Sequence, residues 1–340
     1  MKRENVIGRA NVEDTPELEA YYRSLEGEAL GALWNVANEI EPWYPQPKSV
    51  PALWPWQKIH PYVKKAAELV STEKAARRVV MLVNPGRKEW SAAAGLLYTG
   101  VQIMNPGEFT SAHRHQASAL RFIMEGRGAY TVVDGERLTL GARDLVLTPN
   151  GTWHDHGVEA GGTQCIWQDG LDIPLMNSLD ANFYEVHPDV VQKPAPLSRE
   201  NWQKPYSPVF HYPWSEAYDA LKTSPHYSAF DGTVHEYKNP LTGGSIMPTI
   251  GAQLQLLRPG EETRSHRHTG SVIYQVAKGR GRSQVGEQTF EWEEKDIFAI
   301  PSWCPHAHAN ASASEDAVLF SFNDFPAMRA LALYREQPDS

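Results

Sequence analysis

Residues 101–115 of the chain read VQIMNPGEFTSAHRH, and residues 254–268 read LQLLRPGEETRSHRH. In each stretch an apolar run leads through Pro-Gly to a His-x-His pair. The pairs begin at His113 and His266, which are 153 residues apart. Downstream motifs correspond as well, because residues 154–156 read HDH and residues 306–308 read HAH. A repeat of this kind predicts two copies of one structural unit.

Each copy is predicted to be a small β domain. From Arg78 onward, short apolar runs rich in Val, Ile, Leu and Tyr are separated by Gly, Asn and Asp turns, and Asp134-Gly135 is typical of a hairpin. The fold class is therefore all-β. The predicted divisions are an N-terminal extension over residues 1–77, a first β domain over 78–175, a linker over 176–230 and a second β domain over 231–340.

The N-terminal extension is predicted to be helical and proline-rich. Thr15 followed by Pro16 predicts an N-cap for a helical stretch from Leu18 to about Ile40, and a second helix is expected to begin near Pro61. The residues between them, 41–56, read EPWYPQPKSVPALWPW. Because proline removes a backbone donor, this segment is expected to be an extended wrap over the surface or against a partner subunit. The proline- and aromatic-rich stretch 174–225 is expected to be an ordered linker.

Composition excludes several classes of protein. The formal net charge of −9 argues against non-specific nucleic-acid binding, and no apolar run approaches the length of a bilayer span. The two cysteines, Cys165 and Cys304, lie in different halves and have no Cys-x-x-Cys partner, which argues against a disulfide framework or a thiolate metal site. Cys304 is interpreted as an inert core thiol. We expect a globular cytoplasmic protein without an export signal or membrane segment.

The histidine pairs are the candidate metal ligands. Side chains alternate along a strand, so His113 and His115 point the same way, as do His266 and His268. A lone His-x-His is most simply a pair of water-facing strand residues. Two copies with matching downstream histidines favour metal binding instead. Imidazoles suit Zn, Cu, Fe and Ni.

No carboxylate accompanies the histidines. At the positions shortly after each pair, where a carboxylate could complete the ligand set, the chain has Ala119 and Leu120 in the first copy and Val272 and Ile273 in the second. Three neutral imidazoles leave the charge of a divalent ion uncompensated. Such a site favours an anionic substrate that binds the metal directly at two places.

The chain resembles the bicupin gentisate 1,2-dioxygenases and the related salicylate and 1-hydroxy-2-naphthoate dioxygenases. Both copies match the cupin pattern, with Gly107 and Gly260 upstream of the His pairs and the second motif in DLVLTPNGTWHDH and DIFAIPSWCPHAH. The resemblance covers nearly the whole chain, including residues 167–174, WQDGLDIP. It implies an iron(II)-dependent oxidoreductase that inserts both atoms of dioxygen into a hydroxylated aromatic acid in aromatic catabolism. A homotetramer is implied by the resemblance alone.

The resemblance also implies roles for individual residues of the first cupin. The iron ligands would be His113, His115 and His154. Arg121 matches the arginine that binds the substrate carboxylate, since a guanidinium binds a carboxylate bidentately. His156 matches the histidine beside the iron, Gln102 matches a glutamine that lines the pocket, and Asp169 matches a carboxylate that supports the residues around the iron. A further arginine is expected at the start of the first β domain, where Arg77 is favoured over Arg78.

The repeat predicts which cupin is catalytic. The ligand positions persist in the second copy as His266, His268 and His306, but Arg121 corresponds to Tyr274. The second cupin therefore lacks the carboxylate-binding arginine. It is expected not to bind the acid productively, while a metal in both cupins stays open.

Gentisate is the leading predicted substrate, and its ring would open between the carbon bearing the carboxylate and the adjacent hydroxylated carbon, giving maleylpyruvate. His156, with an ordinary pKa near 6.5, is expected to take the hydroxyl proton or to steady the bound oxygen. Salicylate and 1-hydroxy-2-naphthoate are alternative substrates, and Tyr98, Gly100 and Val101 are expected to shape the choice. Two other hypotheses are a non-catalytic ligand-binding bicupin and a zinc or manganese decarboxylase or isomerase.

Overall fold

A computed structural model describes residues 13–72, 74–75, 77–87, 92–195 and 203–339. The chain divides into two compact units, of which the first ends at Gln46 and the second begins at Pro47. Helices α1 (Pro16–Gly27) and α2 (Leu33–Ile40) belong to the first unit. The β domains belong to the second.

The predicted N-cap is confirmed, because the hydroxyl of Thr15 accepts a hydrogen bond of 3.3 Å from the backbone N–H of Leu18. The prediction of one helical stretch to about Ile40 is wrong. The first helix ends at Gly27, and Ala29 takes a left-handed backbone conformation with φ of 55°. Glycine is a poor helix former, so the chain breaks at this point and a second helix follows.

The second unit is built mainly of strands. Its helices are α3 (Trp56–Leu69), α4 (Ile173–Ser178), α5 (Trp214–Lys222) and α6 (Phe325–Ala330). Its strands are β1 (Ala52–Trp54), β2 (Val79–Met81), β3 (Tyr98–Met104), β4 (His113–His115), β5 (Ala119–Glu125), β6 (Ala129–Val133), β7 (Glu136–Leu140), β8 (Leu145–Thr148), β9 (His154–Val158), β10 (Cys165–Leu171), β11 (Tyr184–Val186), β12 (His211–Tyr212), β13 (Tyr227–Ser228), β14 (Gly232–Glu236), β15 (Gly251–Leu257), β16 (His266–His268), β17 (Val272–Lys278), β18 (Arg280–Val285), β19 (Gln288–Glu293), β20 (Ile297–Ile300), β21 (His306–Asn310), β22 (Ala317–Asn323) and β23 (Glu336–Pro338).

The strands form two antiparallel β-sandwiches. The first sandwich has sheets in the order β12-β8-β5-β10-β3-β2 and β11-β4-β9-β6-β7, and the second has β1-β20-β17-β22-β15-β14-β13 and β19-β18-β21-β16-β23. The second sandwich repeats the strand order of the first and adds β13 at one edge of its larger sheet. The all-β, two-copy prediction is confirmed, and so is the hairpin at Asp134-Gly135, where positive φ values of 46° and 86° turn the chain between β6 and β7.

Two predictions for the proline-rich segment are corrected. The helix expected near Pro61 begins five residues earlier, at Trp56, and contains Pro61 in its interior. The segment over residues 41–56 is not wholly irregular, because Ala52–Trp54 forms β1 and pairs with β20 of the second sandwich. Proline is tolerated at an edge strand, where one side of the backbone needs no ladder partner. The proposed domain boundaries stay predictions.

The linker completes the first sandwich. Its strands β11 and β12 pair with β4 and β8, which places them at the edges of the two sheets. β12 and β1 occupy matching positions in the two copies, and each is followed by a helix that begins at a tryptophan. The backbone N–H of Trp214 donates to Asp144 at 2.8 Å, and that of Trp56 donates to Asp296 at 2.6 Å. The extension and the linker thus close corresponding sheets by the same contact.

The two sandwiches share a hydrophobic core. Phe122 on β5 and Phe320 on β22 stack with ring centroids 4.0 Å apart, within a buried cluster contributed by both copies. This packing uses one face of each large sheet, so the opposite faces are left to line the interiors of the sandwiches. No helix in the described part of the chain is both long and apolar enough to cross a membrane.

Candidate metal centre and active site

Three histidines meet inside the first sandwich. His113 and His115 project from the short strand β4, and His154 projects from β9, which pairs with β4 so that His113 lies opposite His154. Their candidate ligand atoms all lie within 4.8 Å of one another. The residues are 2%, 7% and 1% exposed. The predicted alternation and convergence of these three side chains are therefore present.

Backbone carbonyls orient the three rings. The Nδ1 atoms of His113, His115 and His154 lie 2.7, 2.7 and 3.0 Å from the carbonyl oxygens of Ser111, Ala117 and Thr152. Because a carbonyl accepts, each Nδ1 carries the proton and each Nε2 presents a lone pair. All three Nε2 atoms are buried and have no hydrogen-bond partner.

The three rings are neutral. Burial, aided by the charge of Arg77, lowers the pKa of His113 to about 3 and that of His115 to about 4. Burial likewise lowers the pKa of His154 well below its ordinary value. Neutral imidazole is the form that binds metal. Three buried, unpartnered and neutral nitrogens therefore fit a divalent metal ion, with a carbonyl behind each ligand fixing its orientation.

His156 lies beside the triad on the same strand as His154. Its ring centroid is 5.4 Å from that of His154, its Nδ1 lies 3.0 Å from the hydroxyl of Thr131, and its Nε2 is buried without a partner. Burial, with the charge of Arg121, lowers the pKa of His156 well below 6.5. The expectation of an ordinary pKa is thus corrected: the ring is neutral at neutral pH, and its Nε2 is available to a ligand.

A buried ion pair faces the histidines. Arg121 on β5 and Asp169 on β10 lie opposite each other across the strands, and Nε of the arginine is 3.2 Å from Oδ1 of the aspartate without hydrogen-bond geometry. Nη1 of Arg121 donates to the hydroxyl of Thr148 at 3.3 Å. Burial lowers the pKa of Arg121 to about 10, which leaves it charged at neutral pH. Burial raises the pKa of Asp169, and Arg121 opposes this.

A further polar side chain on this face has unused hydrogen-bonding atoms. Gln102 on β3 lies opposite Trp167 on β10, and both polar atoms of the glutamine are buried without a hydrogen-bond partner. The indole of Trp167 interacts with the carboxylate of Asp169. Buried polar groups are normally satisfied. A concentration of unpartnered polar atoms near a metal triad is what a binding site for a polar ligand requires.

The two candidate arginines at the start of the first sandwich have different environments. Arg78 is buried, forms an ion pair with Glu108 and donates to the carbonyl of Val70 at 3.1 Å. Arg77 is partly buried, and its charge acts on His113 and Asp169. The structure therefore places the charge of Arg77 near the triad and pairs Arg78 elsewhere.

Of the three residues expected to shape substrate choice, Tyr98 and Gly100 share the face of β3 that carries Gln102. A methyl group added at Gly100 would lie 2.9 Å from the hydroxyl of Tyr98 and 2.5 Å from a methyl of Val79. The expectation for Val101 is corrected, because strand alternation turns it to the opposite face, where it is fully buried in the hydrophobic core.

The second sandwich holds a corresponding triad. The candidate ligand atoms of His266, His268 and His306 lie within 4.8 Å of one another, and all three residues are buried. At the position of Arg121 stands Tyr274, whose cross-strand neighbour is Ser321 rather than an aspartate. The arginine and its carboxylate partner are thus both missing from this copy.

Sequence reasoning missed two orienting residues. Thr131 contacts His156 and Thr148 contacts Arg121, and each contact depends on the pairing register of two strands that no local pattern specifies. Trp167 was identified only as part of a similar stretch. Its position two residues before Asp169 places both side chains on one face of β10, a signal that could have identified it.

Two β-sandwiches in tandem, each with a buried triad of histidines from a His-x-His strand and a later strand, define a bicupin with a metal site. The family model described as "Cupin domain" matches residues 100–174 and 253–323.

The chain is 37% identical to gentisate 1,2 dioxygenase 1 of Aquipseudomonas alcaligenes, over 95% of this chain and 96% of that protein. It is 36% identical to 5-aminosalicylate 1,2-dioxygenase of Comamonas sp, over 94% and 90%. The crystal structure of salicylate 1,2-dioxygenase from Pseudoaminobacter salicylatoxidans with gentisate is similar, with a TM-score of 0.89, 32% identity and coverage of 100% and 99%. The chain belongs to the gentisate 1,2-dioxygenase family of bicupin ring-cleaving dioxygenases, which confirms the resemblance.

Proposed function

We propose that this enzyme cleaves the ring of gentisate with dioxygen to give maleylpyruvate, using iron(II) in the first cupin. One observation carries the proposal: three neutral histidines with free Nε2 atoms face a buried, charged Arg121. Together they form a metal site with an adjacent place for a carboxylate. The relatives named for gentisate, and the related structure that contains gentisate, support this choice of acid.

The site is cationic where the acid would bind. Its charged side chains are Arg77, Arg121 and Asp169, whose charges sum to one net positive charge before any metal is bound. In a buried setting of low dielectric, this charge favours an anion over a neutral aromatic. The substrate carboxylate is assigned to Arg121, whose planar guanidinium binds carboxylate in a fixed orientation.

Iron(II) held by His113, His115 and His154 supplies the redox chemistry by which an aromatic ring reacts with dioxygen. Imidazole nitrogens are suitable ligands for this ion, although they also suit zinc and copper, so the metal is part of the proposal. The carbonyls behind the rings hold the ligands in place.

His156 is proposed to accept the proton of the ring hydroxyl next to the carboxylate. Its depressed pKa keeps it neutral, and its Nε2 has no competing partner. Thr131 fixes the ring through Nδ1. Gln102 is proposed to donate to or accept from the substrate, because its amide has no partner in the fold. Asp169 is assigned to orienting Arg121 by the ion pair between them.

Salicylate and 1-hydroxy-2-naphthoate are the rival substrates. Gentisate carries a second hydroxyl para to the first, which eases electron donation from the ring, and a salicylate-cleaving enzyme has to work without it. Tyr98 and Gly100, on the site face of β3, are assigned to this discrimination. The enzyme relatives match over nearly the full length of the chain, which argues against a ligand-binding bicupin without catalysis.

The test is anaerobic reconstitution with iron(II), followed by addition of each acid and air while oxygen uptake and the ultraviolet spectrum of the product are recorded. Stoichiometric uptake with gentisate and a maleylpyruvate absorbance supports the proposal. Uptake only with salicylate or the naphthoate keeps the chemistry and overturns the substrate. Zinc or manganese activity without oxygen uptake would overturn the iron assignment.

We also propose that the enzyme is a cytoplasmic homotetramer. The cytoplasmic location agrees with two free cysteines, of which Cys165 is buried and Cys304 partly buried. Light scattering coupled to gel filtration measures the subunit number, and a monomeric mass at micromolar concentration would contradict the tetramer.

A further inference from the structure

The second triad is placed like the first, but its surroundings have the opposite charge. We infer that the second cupin is a separate divalent-metal site in which Glu336 and Asp231 balance the charge of the ion, so that it holds metal without binding the anionic acid. This inference goes beyond the proposed ring cleavage, which uses the first cupin alone.

Each histidine of the second triad has one ring nitrogen that is buried and has no hydrogen-bond partner: Nε2 of His266, Nδ1 of His268 and Nε2 of His306. Nδ1 of His306 lies 3.0 Å from the carbonyl oxygen of Cys304, as in the first site. His266 and His306 are 3% and 1% exposed. Leaving such nitrogens unpaired costs free energy unless a ligand occupies the space between them.

His266 is oriented by a carboxylate instead of a carbonyl. Its Nδ1 is 3.0 Å from Oε1 of Glu336 on the C-terminal strand β23. In the first cupin the corresponding strand is β11, and the residue at the corresponding register position is Tyr184, which stacks on His113 at 5.3 Å. A carboxylate behind a histidine raises the basicity of the ligand and strengthens metal binding.

A second carboxylate stands on the other side of the triad. Asp231, in the turn that leads into β14, lies 3.9 Å from Nε2 of His266. The corresponding segment of the first cupin, which leads into β2, carries Arg77. The segment that brings an arginine near the first triad therefore brings an aspartate near the second.

The two sites therefore differ in net charge. Arg77, Arg121 and Asp169 together give the surroundings of the first triad one net positive charge. Beside the second triad, Glu336 and Asp231 supply two carboxylates instead. A divalent ion balances these two carboxylates. A site balanced in this way, with tyrosine at the position of Arg121, attracts a carboxylate less than the first site does, even though Arg329 lines the cavity of about 850 Å³ beside it, together with Tyr274 and Tyr334.

The experiment counts iron in protein freed of metal by chelation and titrated anaerobically with iron(II). Wild-type protein should bind two ions per chain, and His268→Ala should bind one and still turn over gentisate. Glu336→Gln should weaken the second ion by about 10- to 100-fold. The melting temperature of metal-free Glu336→Gln should equal that of the metal-free wild type. Glu185→Gln on β11 is the matched control, because Glu185 pairs with Arg114 and does not contact a triad.

Hydrogen exchange gives an independent readout. Because β23 carries Glu336, iron(II) should slow amide exchange in residues 333–339 of the wild type but not in Glu336→Gln. One ion per chain in both the wild type and His268→Ala, or equal affinities in Glu336→Gln and Glu185→Gln, would overturn the inference. Because iron is counted without turnover, the number of bound ions still tests this inference if the enzyme does not cleave gentisate.

Discussion

Arg121 connects substrate recognition with the stability of the first cupin. Its guanidinium is almost fully buried, stands 3.2 Å from Asp169 and faces the triad. Removing it would leave Asp169 as an uncompensated buried charge, which typically costs about 3–5 kcal/mol. A charge-conserving substitution is therefore the better probe of binding.

We expect Arg121→Lys to retain its metal and to lose about 10- to 100-fold in kcat/KM for gentisate, because an ammonium cannot reproduce two parallel hydrogen bonds to a carboxylate. Steady-state oxygen uptake measures the change. Arg137→Lys, at an exposed pair with Glu159, is the control and should behave as wild type. Equal kinetics in the two variants would remove Arg121 from substrate binding.

His156 separates proton transfer from metal binding. Because it lies beside the triad but its Nδ1 is held by Thr131, His156→Gln should keep its iron content and lower kcat by about 10²- to 10⁴-fold. The matched control is His308→Gln, since His308 lies 2.8 Å from Ser283 in the second cupin in the same way. Loss of iron from His156→Gln would indicate a ligand instead.

At the residue scale, the sequence predicted the three ligands and Arg121 by repeat and alternation. It did not predict the protonation of His156 or the environments of Arg77 and Arg78. Those depend on which charges lie nearby after folding, and desolvation is set by packing from distant strands.

Two buried aspartates lie between a central strand of each sandwich, β10 or β22, and the helix that follows it. Asp172 and Asp324 stand at the starts of α4 and α6, and their Oδ1 atoms accept hydrogen bonds of 2.7 and 2.8 Å from the backbone N–H groups of Ser118 and Ser271. Burial raises the pKa of Asp172 to about 6 and that of Asp324 to about 7. These hydrogen bonds connect the start of α4 to the residue before β5 in the first copy and the start of α6 to the residue before β17 in the second.

The raised pKa of Asp324 predicts a pH-dependent stability. Below pH about 4 the carboxyl is protonated in both the folded and the unfolded chain. Between about 4 and 7 it ionises only in the unfolded chain, so the free energy of unfolding falls as the pH rises, by roughly 4 kcal/mol in all. Above pH 7 the loss levels off.

Asp324→Asn should remove this dependence, and its melting temperature relative to wild type should rise from pH 4.5 to pH 8. Thermal denaturation monitored by circular dichroism at several pH values measures it. The exposed Asp219→Asn is the control. Parallel curves for wild type and Asp324→Asn would contradict the assigned pKa.

At the element scale, the sequence predicted the strands, the Asp134-Gly135 turn and the Thr15 cap, since each rests on local chemistry. It misplaced the start of α3 and missed β1. Strand β1 exists because β20 offers an unpaired edge, and that edge is formed by residues more than two hundred positions away.

Metal binding should stabilise the whole molecule. A ligand that binds only the folded state at a thousand times its Kd adds about 4 kcal/mol to the free energy of unfolding. Chelation should therefore lower the melting temperature of wild-type protein, and His115→Ala should show a smaller drop because one triad is already incomplete. An unchanged melting temperature after verified metal removal would contradict a metal bound in the native state.

The sequence by itself determined the two-copy β architecture, the two histidine triads and the family, because repeats, strand alternation and turn residues act over short distances. Only the tertiary structure decided the charge around each triad. Arg121 with Asp169, Arg77 near the first triad, and Glu336 with Asp231 near the second are brought together from strands and loops far apart in the chain. Electrostatic energy depends on distance in space and on burial, and neither can be read from sequence order.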